Sequence, residues 1–235
     1  MILKKIIHAL HPVNPDNLVP LNNPVPSNKK LVLFFAGWGM DEQLFSGYAR
    51  SEQNLMIAYD YSSLTLDETL LKGYDEIQVF AWSMGVWAAS QVLPKLQTQH
   101  YPIGTCTAIN GTPYPIDDNR GIPVQIFKAT LNTLNEKTLD KFRLRMCGSR
   151  ETLNHFLARA PRRDIASLRK ELAAIEEQAT VQSGTTFQWD QAYIGKDDRI
   201  FSSENQQRAW AHSPHTFVDT PHYPKQLFKQ LLQEI

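Results

Sequence analysis

The chain has 235 residues, 42% hydrophobic and 20% charged, a length that suits one domain with a substantial core, or one domain carrying an inserted cap. Its 24 Lys and Arg balance 24 Asp and Glu, so the net charge of zero argues against a general nucleic-acid binder. Two cysteines, Cys106 and Cys147, make no disulfide framework, no C-x-x-C or His-rich spacing suggests a metal site, and no apolar run approaches the ~20 residues needed to span a bilayer. A reduced, cytoplasmic protein without cofactor, metal or membrane attachment is the expectation.

Residues 1–29 carry Pro12, Pro15, Pro20, Pro24 and Pro26 among Asn, Asp and Ser, which favours a loop-like arm over a packed element. The first ten residues have a faint signal-peptide look. Lys4, Lys5 and His8 break the apolar run, however, and no small-x-small cleavage site follows, so they read as a surface helix or strand. The globular pattern begins at Lys30–Phe35, a continuous apolar run that fits a strand buried on both faces of a parallel sheet. It empties into Gly37-Trp38-Gly39, after which Asp41 caps a short predicted helix from Glu42 to Arg50. A strand over Leu55–Tyr61, a short helical segment over Leu66–Lys72 closed by Gly73, and a strand over Ile77–Ala81 follow.

Ser83 stands between that strand and a helix predicted from Met84 to about Leu93, where Pro94 should end or kink it. Ala81 and Gly85 flank it in a G-x-S-x-G pattern with alanine in the first place. A strand that turns sharply into a helix needs small residues two before and two after the bend. Strand before and helix after make this the nucleophile elbow of α/β-hydrolases, which lifts a serine hydroxyl above a parallel sheet. A strand over Thr105–Asn110 comes next. From about Phe127 to Val181 apolar residues recur at helical spacing with no strand between, which reads as three or four helices inserted over the sheet's carboxyl edge. Alternation resumes with a strand over Phe187–Ile194, a helix near Ser203–Ala211, a short strand over Thr216–Val218 and a final helix over Lys225–Leu232. The expected organisation is an arm at 1–29, a hydrolase core at 30–126 and 182–235, and a helical cap at 127–181.

A serine hydroxyl needs a base, and the base needs an orienting acid; in this fold they follow in the order Ser, Asp or Glu, His. Of the later histidines, His222 sits between the last strand and the last helix, where a loop can aim an imidazole at Ser83. His212 and His215 fall at the opposite end of that strand and read as solvated. For the acid, Gly195-Lys196-Asp197-Asp198 supplies two candidates. The Gly-x-x-Asp spacing selects Asp198 over Asp197, whereas Asn110 offers no charge at the alternative position and Asp60 reads as a loop residue. The oxyanion of ester hydrolysis calls for backbone donors, assigned to the N–H groups of Met84 and Trp38.

The strings Phe35-Ala36-Gly37-Trp38-Gly39-Met40-Asp41, Ala81-Trp82-Ser83-Met84-Gly85-Val86-Trp87, Asn110-Gly111-Thr112 and Gly121-Ile122-Pro123 closely resemble the BioG family, the pimeloyl-acyl-carrier-protein methyl ester esterases of biotin synthesis. The resemblance runs from about Leu31 to the C-terminus. It implies an esterase that frees the ω-carboxylate of a pimeloyl chain as methanol leaves, with the same triad serving an esterase or thioesterase of other acyl specificity. Its partner would be an acyl carrier protein, met by a monomer. Carrier proteins are acidic, and Arg143, Arg159, Arg162 and Arg163 are basic residues of the cap able to dock one, although interleaved acids also suit an ordinary charged surface. Trp38, Trp82, Phe127 and Phe142 are the aromatics that would line an acyl slot, each also a natural core residue.

Overall fold

The computed structural model describes residues 1–6, 29–48, 54–181 and 187–233. At its centre is a seven-stranded sheet ordered β1-β3-β2-β4-β5-β6-β7. Strands β2 (Lys30–Phe35), β3 (Asn54–Tyr59), β4 (Glu76–Trp82), β5 (Ile103–Ile109), β6 (Gln191–Gly195) and β7 (His215–Val218) run parallel, and β1 (Ile2–Ile6) pairs antiparallel with β3. With helices packed against it, this is the α/β-hydrolase fold. β2 and β3 are almost wholly buried, as strands covered on both faces must be, and their sequences are correspondingly unbroken apolar runs.

Of the surface helix or strand expected over the first ten residues the structure shows a strand, so the start of the chain departs from the loop-like arm expected for 1–29 as a whole. Residues 2–6 form an edge strand in register Ile2↔Tyr59 to Ile6↔Leu55. The open edge of β3 leaves a row of N–H and C=O groups to be paired, and a five-residue segment with exposed Lys4 and Lys5 satisfies them while keeping the new edge charged. The Pro-rich remainder of that arm, 7–28, lies outside the described residues.

Helix α1 (Met84–Thr98) also runs past Pro94, which neither ends it nor sets its length. Val92, Leu93 and Leu96 continue one buried face through the proline, and that burial outweighs the single backbone hydrogen bond Pro94 cannot donate. The helix expected over Glu42–Arg50 is a 3-10 turn over Glu42–Phe45, with the Asp41 carboxylate accepting from Gln43 N at 2.9 Å. Its end beyond residue 48 lies outside the described residues.

Among the described residues between β5 and β6 come four helices in succession, α2 (Val124–Thr133), α3 (Glu136–Cys147), α4 (Arg150–Leu157) and α5 (Ile165–Val181). The first starts three residues ahead of the expected boundary, after Pro123 at its N-cap, where the Asp118 carboxylate accepts the Val124 N–H at 2.9 Å. α6 (Ser203–Ala209) and α7 (Lys225–Gln233) complete the chain. Among the described residues, no helix is long and apolar enough to cross a membrane.

Candidate active site

Ser83 is the single residue between β4 and α1, at φ 59° and ψ −128°. A non-glycine residue avoids this region because its Cβ crowds the backbone, so the surroundings must hold it there. They do so by close packing: a Cβ on Gly85 would lie 2.2 Å from Phe35 O, and one on Gly111 would lie 2.3 Å from Ser83 O. The glycine two residues after the serine is therefore a steric requirement of this bend. Ala81, two before, is fully buried.

His222 reaches this serine from the loop between β7 and α7. Its Nε2 lies 2.9 Å from Ser83 Oγ and its Nδ1 lies 2.8 Å from Asp198 Oδ2. Ser83, Asp198 and His222 are all buried. The second Asp198 oxygen, Oδ1, accepts the N–H groups of Ile200 at 2.8 Å and Phe201 at 3.0 Å, and Gln206 Nε2 donates to Oδ2 at 3.0 Å. Asp197 is exposed, and His212 and His215 stand apart from this group, so the structure brings together the three residues that sequence order selected.

Three further side chains, Asn110, Trp82 and Gln206, support this arrangement. Asn110, set aside there for lacking charge, sits at φ 45° and joins two loops. Its Oδ1 accepts Gly195 N at 2.7 Å, and its Nδ2 donates to Pro221 O at 2.9 Å and His222 O at 3.1 Å. Trp82 Nε1 donates to the same His222 carbonyl at 2.8 Å, and its ring packs 5.4 Å from the imidazole. Gln206, from α6, completes the ring of donors around Asp198. The Asn110-Gly111 pair was visible as a strand-end motif; nothing local in the sequence marks Gln206.

Above Ser83 lies a narrow cavity of about 40 Å³, lined by Trp38, Trp82, Phe127, Phe142, Met146 and Leu172 among others, with Arg145 and Arg199 also on its wall. All four aromatics named from the sequence reach it. Trp38 and Phe142 meet edge to face at 5.1 Å. The loop carrying Trp38 approaches the serine closely, since a Cβ on Gly37 would lie 3.1 Å from Ser83 Cβ. Among the described residues, neither the Trp38 N–H nor the Met84 N–H donates to another group.

The family model described as pimeloyl-ACP methyl esterase BioG matches residues 25–231. This chain belongs to the BioG family. The crystal structure of BioG from Haemophilus influenzae superposes with a TM-score of 0.80 at 30% identity, covering 97% of each chain. A Bacteroides fragilis protein named malonyl-[acyl-carrier protein] O-methyltransferase is 46% identical over 231 residues, 97% of this chain; the chain spans 46% of that relative's length. RedJ thioesterase of Streptomyces coelicolor, at 17% identity and a TM-score of 0.59 over 96% of this chain and 92% of its own, shares the fold.

In this BioG-family chain the four arginines marked for carrier docking separate. Arg159 and Arg162 are exposed. Arg143 is half-buried and lies 3.6 Å from Asp140. Arg163 is not available to a partner: its side chain is only 9% exposed and pairs with Glu171 at 2.6 Å and Asp60 at 3.2 Å. A charge run in sequence does not distinguish a guanidinium facing solvent from one drawn inward by buried carboxylates, and here Glu171 draws it in.

Proposed function

We propose that the chain is a serine carboxylesterase that removes the methyl ester from a pimeloyl group held on an acyl carrier protein, releasing methanol and the free ω-carboxylate. The observation that carries the reading is the His222 imidazole spanning Ser83 and Asp198 at hydrogen-bond distance on both sides, at the floor of an apolar cavity. Family membership supports the substrate class, and the Bacteroides fragilis relative is named for placing a methyl group on a malonyl-carrier protein, the ester whose later removal this reading assigns.

In the first half-reaction Ser83 Oγ attacks the ester carbonyl carbon while its proton passes to His222 Nε2. Asp198 holds Nδ1–H, fixing the tautomer and stabilising the imidazolium that forms. The Trp38 and Met84 amides receive the tetrahedral oxyanion. Collapse breaks the bond to the methoxy oxygen, which takes the proton from His222 and leaves as methanol. Water, deprotonated by His222, then attacks the acyl-serine, and the acid is released as Ser83 recovers its proton. Trp38, Phe127 and Phe142 contact the methylene chain, and Trp82 supports the histidine loop beneath it.

Incubating the carrier protein loaded with pimeloyl methyl ester, and following methanol and the mass of the acyl group, tests the reading. Wild type should release methanol and leave the acyl group on its thioester; Ser83→Ala should release no methanol and leave the methyl ester and the thioester both intact, while remaining folded. Release of the whole acyl group would instead make it a thioesterase. Charge reversal at Arg159 and Arg162 should raise KM for the carrier-bound ester and leave KM for a small ester unchanged. Equal effects on both substrates would remove carrier docking from these residues.

A further inference from the structure

Glu171, on α5, is fully buried and takes no part in the chemistry described above. Its Oε1 accepts the Tyr61 N–H at 3.0 Å; its Oε2 accepts the Gly39 N–H at 3.4 Å and pairs with Arg163 Nη1 at 2.6 Å. Arg163 is itself held by Ser167 Oγ and by Asp60. One turn back along the same helix, Leu168 O accepts Trp38 Nε1 at 3.0 Å. The loop is thus gripped twice from one face of α5, at the Trp38 side chain and at the next residue's amide. Its root is tied as well, because Tyr61 Oη donates to Ala36 O at 2.6 Å. Gly39 stands at φ 76° at the end of this run of contacts, so the peptide planes on either side of it depend on what they are bonded to.

Replacing a buried ion pair by apolar residues of similar size is often neutral or stabilising, so stability alone gives little reason for Glu171 to be charged here. Burial pushes its carboxyl up from the ordinary range, and the Arg163 guanidinium and the Tyr61 N–H pull it back. We infer that Glu171 is a positioning residue for the oxyanion hole: clamped by Arg163, its carboxylate orients the Trp38–Gly39 segment so that the Trp38 N–H points at the developing oxyanion. The inference rests on the Ser83 esterase reading. It assigns Arg163 to this clamp and makes α5 a working part of the catalytic apparatus.

The test compares Glu171→Leu, Glu171→Gln and the double variant Arg163→Met/Glu171→Leu with wild type. The readouts are hydrolysis of p-nitrophenyl butyrate, inhibition by a phenylboronic acid that forms a tetrahedral adduct on serine, and thermal unfolding. Removing an oxyanion donor outright lowers kcat by ~100–1000-fold, so misaiming one should lower it by ~10–100-fold in the leucine and double variants. KM should stay within about twofold, and boronate affinity should fall in parallel with kcat. Glutamine keeps an acceptor for Gly39 and should recover part of the loss. The double variant removes both members of the buried pair and leaves only the partly exposed Asp60, still held by Ser62, without its arginine, so it keeps the test open if Glu171→Leu fails to fold. Wild-type kcat and boronate affinity in folded variants, with only the melting temperature changed, would overturn the inference. Failure of a fluorophosphonate to label wild-type Ser83 would overturn the esterase reading and this one together; labelling with unchanged Glu171 variants would overturn this one alone.

Discussion

Replacing Asp198 by Asn separates an orienting carboxylate from a merely buried one. Asp198 Oδ1 faces two backbone donors, the N–H groups of Ile200 and Phe201 at 2.8 and 3.0 Å. An amide nitrogen placed there would leave both donors unpaired, at about 1–3 kcal/mol each, so the new side chain must keep its oxygen on that side. Its nitrogen then falls where Oδ2 was, 2.8 Å from His222 Nδ1 and 3.0 Å from Gln206 Nε2. Gln206 can adapt by turning its amide, because its Oε1 has no partner among the described residues, although this forfeits the bond to Phe201 O. His222 adapts only by accepting at Nδ1, which sends its proton to Nε2. That nitrogen faces Ser83 Oγ at 2.9 Å and, once protonated, can no longer take the serine proton. A locked wrong tautomer lowers kcat by about 10⁴-fold in enzymes built this way, ~5.5 kcal/mol of transition-state stabilisation. Steady-state hydrolysis of a p-nitrophenyl ester between pH 7 and 9, with the rate of fluorophosphonate labelling alongside, measures it. Asp197→Asn, on the exposed neighbour, should retain full activity. Asp198→Asn within about tenfold of wild type, or Asp197→Asn falling as far, would refute the assignment.

The strained turn at Ser83 should show in stability. Ser83→Gly and Ser83→Ala both lose the hydroxyl, but only glycine is at ease at φ 59° and ψ −128°. After glycine's extra unfolded-state entropy, the glycine variant should be more stable by about 1 kcal/mol, a melting temperature ~2–4 °C higher; equal stabilities would mean the serine is unstrained. Burial pushes the thiols of Cys106 and Cys147 up to about 12, with Asp190 adding to the effect at Cys106 and Arg143 opposing it at Cys147. At pH 8 only ~10⁻⁴ of each is thiolate, so Ellman's reagent should leave the folded protein untouched and titrate both cysteines in denaturant. Fast modification of the native protein would contradict the packing.

Much of this molecule is legible along the chain because the signals are local. The elbow at Ala81–Gly85 is readable because the bend demands small residues at fixed offsets, and β2 is readable because a strand buried on both faces must be apolar throughout. Asp198 and His222 follow from the positions of strand ends, since a parallel sheet delivers its loops to one edge. Side chains that act across the fold are not marked in this way. Asn110 looks inert until Gly195 and His222 are seen on either side of it, and Gln206 is an ordinary polar residue until α6 carries it to Asp198. Arg163 sits in a basic run with Arg159 and Arg162, and only the position of Glu171 decides that it turns inward. The pairing of β1 depends on an open edge that β3 presents far along the chain, from Ile2↔Tyr59 to Ile6↔Leu55. The sequence by itself determined the strand–helix frame and the order of serine, acid and base, because backbone geometry and burial periodicity act over a few residues. Which polar groups support that triad, and which arginines are left for a partner, only the tertiary structure decided, because a charge or amide is defined by what lies opposite it in space.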